Sequence, residues 1–282
     1  MTNKKRNVAQ IITPENTSDG AGVKLKRSIA TRSLSYLDPF LLFDHFGSEN
    51  PDDYIAGFPI HPHRGIETVT YMLAGAVEHK DSSGNKGIIR TGDVQWMTAG
   101  GGIMHEEMPI IQDGRMEGFQ LWVNLPAKLK MSRPRYQEVA SANIPEYSGA
   151  EGINIRVIAG RVGEVDGAVS EIAADPTYLD VKIPAGVTFK HEIPAGHTAF
   201  AYLFEGSAKF DETTEVESPR LVIFEDGDEI EVMAGENGAR FLLISGLPLG
   251  EPVARYGPFV MNTEEEIEQA LLDLRRGTFI QK

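Results

Sequence analysis

The sequence predicts an all-β protein of two tandem β-barrel domains, closed by a short C-terminal helix. Three observations carry this. Short β-branched and aromatic runs recur between Gly, Pro and Asp turn residues, which is how dense antiparallel sheets read. A strand, Gly-turn, strand pattern occurs once in each half. A helical apolar period with matching caps stands at the C-terminus.

The strands come first along the chain. GIETVTYMLAG, GIIRTGDVQWMTAG, FQLWVNLP, INIRVIAG, YLDVKIPAG, AFAYLFEG, RLVIFEDGDEIEVMAG and ARFLLISG are each strand or strand-turn units. In the first of them one parity carries Ile66, Thr68, Thr70 and Met72, and the other Glu67, Val69, Tyr71 and Leu73. The repeat pairs MLAGAVEHKD and RTGDVQWMTAG with YLFEGSAKFDE and FEDGDEIEVMAG. Between the halves a polar connector, Lys128 to Gly152, carries Pro134, Pro145 and Gly149, which resist strand continuation. The expected domains are therefore residues 1–140, holding the metal described below, and 141–282, without a metal and ending in the helix. For that helix, Thr263 to Glu266 fits a capping box. Ile267, Ala270, Leu271 and Leu274 follow on one face, and Arg275, Arg276 and Gly277 suit its end.

Composition narrows the function. The 282 residues contain no cysteine, which removes disulfides, thiol chemistry and cysteine-ligated zinc. Any metal must be held by nitrogen and oxygen. The net charge of −14 disfavours direct nucleic-acid binding, and the basic runs Lys24 to Arg32 and Lys128 to Arg135 read as solvated faces. No apolar run is long enough for a membrane span, and MTNKKRNVAQII does not read as a signal peptide, so a cytoplasmic location is expected. Dinucleotide, P-loop, nucleophile-elbow and His-Glu-x-x-His motifs are missing.

Five of the seven histidines lie between residues 45 and 105. Two segments stand out: Phe58-Pro-Ile-His61-Pro-His63-Arg-Gly-Ile-Glu67 and Gly100-Gly-Gly-Ile-Met-His105-Glu-Glu107. On a strand, residues i and i+2 share a face, so His61 and His63 converge, as do His105 and Glu107. Two such pairs on neighbouring strands would hold a divalent transition metal and leave coordination positions open. Glu67 has the parity of His61 and His63 and competes with Glu107 for a ligand or base role. His45 reads as pocket wall or core, and His79 as an exposed turn residue. His191 and His197, six apart, form no ligand pair. Met97, Trp96, Phe58, Ile66, Met104, Met108, Phe119 and Trp122 flank the metal residues, and about half would line an apolar pocket for an aromatic substrate.

Three blocks in order, HPHRGIETVTYMLAG (61–75), GDVQWMTAGGGIMHEEMP (92–109) and GFQLWVNLP (118–126), closely resemble the pirin family of the cupin superfamily. The resemblance implies a bicupin of two jelly-roll (double-stranded β-helix) barrels. It implies one metal in the first, Fe(II) foremost, with Mn, Co, Ni, Cu or Zn compatible with the donors. The implied ligands are His61, His63, His105 and Glu107. Glu67 then becomes a neighbouring base candidate, where other cupins often ligate. The implied activity is quercetin 2,3-dioxygenase-like. O₂ opens the ring of a flavonol such as quercetin with release of carbon monoxide, and Glu107 or Glu67 takes the substrate proton. The alternative it implies is a metal- or redox-responsive regulator acting through protein partners. A monomer is expected.

Overall fold

The structure is a computed structural model that describes residues 4–111 and 115–280. The chain separates into two compact units, Glu15–Ser141 with Leu249–Lys282, and Met1–Pro14 with Ala142–Pro248. This differs from a single cut at residue 140 at both ends. The strand Val8–Ile12 pairs with Arg220–Phe224 in the later unit, and the C-terminal helix belongs to the earlier one.

The unit built on Glu15–Ser141 has a seven-stranded and a four-stranded sheet. The larger runs Arg135–Val139, Val94–Thr98, Ile66–Ala74, Met116–Asn124, Phe40–Ser48, Val23–Ile29, Glu15–Asp19. The smaller runs Phe58–His63, Ile103–Ile110, Ala76–Asp81, Lys86–Arg90. Strand Ile66–Ala74 is buried on both faces through Met72, as an internal barrel strand should be. Arg135–Val139 pairs with Val94–Thr98, so a strand continues into the stretch read as connector.

The chain passes from the smaller sheet to the larger at Arg64-Gly65. Gly65 has φ +81°, and a Cβ there would overlap the Val260 carbonyl. Only glycine fits both demands. This break resets the inside-outside alternation between His63 and Glu67.

The other unit is built on a nine-stranded sheet, with a two-stranded ribbon of Arg161–Val162 and Val165–Asp166 beside it. Its long strands Thr198–Lys209 and Glu229–Gly246 wrap a core that includes Phe189, Phe210, Phe224 and Phe241.

The single α-helix among the described residues, Glu264–Arg276, starts as the sequence predicts. Thr263 accepts from the Glu266 amide, Glu266 reciprocates, and Gly277 ends the helix in the left-handed region. Ile267 and Ala270 pack with Phe259, Met261 and Phe279. Arg64, 1% exposed, clamps this tail. It donates to Gly101 O (2.7 Å), Asp273 Oδ2 (2.8 Å) and Phe279 O (3.2 Å). Lys130 is likewise buried, donating to Gly65 O, Asn124 Oδ1 and Val260 O, and Arg27 pairs with Asp44 and Asp19. Neither basic run is therefore simply a solvated face.

Candidate metal centre

The register of two antiparallel strands builds the centre. His61 on Phe58–His63 lies directly opposite His105 on Ile103–Ile110, and His63 lies opposite Ile103. Cross-strand partners and i, i+2 neighbours share a face, so three imidazoles converge. Their ring centroids are 4.4 to 5.0 Å apart, and one ligand atom from each falls within 4.8 Å of the others.

The donor chemistry fits a divalent cation. His61 Nδ1 lies 2.9 Å from the Pro59 carbonyl, which fixes the proton on that nitrogen and leaves a lone pair on Nε2. That Nε2 faces His63 Nε2 at 3.0 Å. Both ring nitrogens of His105 are buried with no hydrogen-bond partner among the described residues. A neutral imidazole offers one lone pair, and a cation accepting it would satisfy that nitrogen of the buried ring. Burial first, then the neighbouring histidines, hold His63 and His105 well below the usual histidine range. They are thus neutral, as metal ligation requires.

Glu107 is not drawn into this group, contrary to its expected place as fourth ligand. An extra residue in the facing strand, between Phe58 and His61, shifts the pairing so that Glu107 lies opposite Phe58. Its carboxylate instead accepts from the Thr70 hydroxyl at 3.3 Å. It still lines the same cavity as His61 and His63, and burial pushes its pKa up.

Glu67 is placed elsewhere. Its carboxylate accepts from Trp96 Nε1 (3.1 Å) and Thr98 Oγ1 (2.7 Å), and it does not line the cavity. The break at Gly65 is the reason: Thr70 reaches the site, so residue 67, of opposite parity, faces away. His79 is 1% exposed rather than in an open turn. It pairs across the strands with Glu107, and its ring stacks on Tyr136. His45 is buried against Phe119 and contacts Glu117.

The cavity in front of the imidazoles measures about 520 Å³. Phe58 and Trp122 line it, with Leu42, Phe46 and Pro258. Trp96, Met97, Ile66 and Phe119 are instead core residues, each no more than 1% exposed. Sequence reasoning missed Arg255, Gly257 and Pro258, which come from the far end of the chain to complete the wall. No local pattern announces them; Arg255 bonds Leu41 across 214 positions.

Comparison with known proteins agrees with this architecture. Residues 22–123 match the pirin family model, and residues 178–280 match that of the pirin C-terminal cupin domain. A pirin-like protein of Caulobacter vibrioides is 46% identical over 275 residues, covering 97% of this chain and 99% of the relative. Human pirin is 42% identical, with 98% and 94% covered. The crystal structure of a quercetin 2,3-dioxygenase from Acinetobacter baumannii superposes with a TM-score of 0.90 at 36% identity, over 98% and 99% of the two chains. The two β units are cupin domains, and the chain belongs to the pirin family.

Proposed function

We propose that the protein is a metal-dependent dioxygenase that cleaves the ring of flavonols such as quercetin. The observation that carries this is the convergence of three imidazoles beside a mainly apolar cavity. In this reading His61, His63 and His105 ligate one divalent ion, Fe(II) foremost, and Glu107 turns from Thr70 to complete the set. Such an ion supplies Lewis acidity and redox contact with O₂.

The remaining work falls to the chain. Phe58 and Trp122 present ring faces that orient a flat aromatic substrate and exclude water. Glu107, whose pKa is raised by burial, takes the proton of the enolic hydroxyl. The reaction consumes one O₂ and releases one carbon monoxide per flavonol. No helix among the described residues is long and apolar enough to cross a membrane, and we place the protein in the cytoplasm as a monomer.

The test is flavonol absorbance and O₂ uptake for wild type and His61→Ala, with bound metal measured in the same samples. The reading expects turnover in wild type and at least a hundredfold loss in the variant. Turnover that survives the substitution would contradict it.

A further inference from the structure

Two guanidinium groups line the cavity, and they differ in how their charge is met. Arg27 grips Asp44 through two bonds of 2.8 and 2.6 Å, and its Nη2 also reaches Asp19 at 2.6 Å. Its charge is answered by the protein. Among the described residues Arg255 has no carboxylate in contact, and its Nη2 has no hydrogen-bond partner. Its Nη1 donates to Leu41 O at 3.0 Å, and its Nε makes a long bond to Gly257 O at 3.4 Å. Its Cζ stands 5.1 Å from the Trp122 ring centroid. Asp44 and Asp19 act on it only through space. The carbonyl and the indole fix the orientation of the fork, while Nη2 stays uncommitted. A partly buried cation held this way is costly unless an anion completes it.

Its position relates it to the imidazoles. Trp122 packs edge-on against His63 at 5.1 Å between centroids. Steps of 5.1 Å from His63 to the Trp122 ring and from that ring to the Arg255 guanidinium set the greatest separation of the two groups, and all three line the cavity. A ligand about the size of a two- or three-ring aromatic spans such a gap.

We propose that Arg255 is a specificity-determining residue. Its free Nη2 takes an anionic oxygen group, a carboxylate or ionised phenol, at the end of an aromatic ligand whose other end faces His61 and His63. This rests on the proposed reading that the cavity holds an aromatic substrate, and it adds which substrates are preferred.

The experiment is calorimetric binding to metal-loaded protein under nitrogen. The probes are 3-hydroxyflavone and its 4′-carboxylate, which differ only in the anionic group. Wild type should bind the carboxylate on the order of tenfold more tightly. Arg255→Gln should bring that ratio to about one while changing the affinity for neutral 3-hydroxyflavone less than about threefold. Arg255→Lys should keep part of the preference. A purely structural role for Arg255 would weaken both ligands alike and leave the ratio unchanged. That result, equal binding of the two by wild type, or binding of neither, overturns the inference. Because no turnover is needed, a protein that shows the preference yet consumes no flavonol would contradict the proposed reaction and not this assignment.

Discussion

Glu67 accepts the Trp96 indole N–H at 3.1 Å on the face of its strand turned away from the histidines. A carboxylate with Trp96 and Thr98 both donating to it is a structural acceptor. Glu67→Gln should leave metal stoichiometry unchanged and turnover within about twofold. It should lower stability by about 1–3 kcal/mol, because the amide offers one acceptor oxygen where two donors point. Thermal melts and metal analysis of the same preparation check both halves. A large fall in turnover at unchanged stability would restore Glu67 to a catalytic role.

Arg64 ties the segment between the two sheets to the C-terminal helix through Gly101, Asp273 and Phe279. Removing the guanidinium leaves two carbonyls and a carboxylate without their donor. Arg64→Met should cost about 3–5 kcal/mol. It should also expose the helix to protease before the rest of the unit. Urea denaturation and timed trypsin digestion report these. Unchanged release of the C-terminal peptide would show that apolar packing alone holds the helix.

In the unit built on Ala142–Pro248, burial pushes the His191 imidazole down to about 4, where it stacks on Phe189. The sign follows from proton uptake. Between the unfolded value of 6.5 and the folded value of about 4, the unfolded chain binds the extra proton, so stability falls as pH falls through that window. The loss is full below it and absent above 6.5. His191→Phe keeps the stacking and removes the proton. The difference between wild-type and variant unfolding free energies should change by up to about 3 kcal/mol from pH 7 to pH 4. A pH-independent difference would show that the ring titrates normally.

Much of this molecule is legible in the sequence. Strand density, the repeat and the caps around Glu264–Arg276 are local signals, and the structure follows them. The His61/His63 pairing is equally local, since alternation operates within one strand. Glu67 departs from the alternation counted from His61 and His63 because the chain changes sheets at Arg64-Gly65. Glu107 keeps the face that parity predicts and lines the cavity, but the extra residue in the facing strand sets it opposite Phe58, which counting along one strand cannot see. Burial of His79 and Lys130, and the arrival of Arg255 at the cavity, depend on partners far along the chain. Nothing in the residues beside them marks those long-range partners.

If three imidazoles hold an ion that supports flavonol cleavage, product stoichiometry shows it. Protein loaded with Fe(II) is mixed with quercetin in sealed, oxygenated buffer, and O₂ consumed and carbon monoxide released are measured together, alongside protein carrying His105→Ala. One O₂ should be consumed and one carbon monoxide released per quercetin lost, and neither by the variant. Quercetin loss without carbon monoxide, or equal release by the variant, would contradict it.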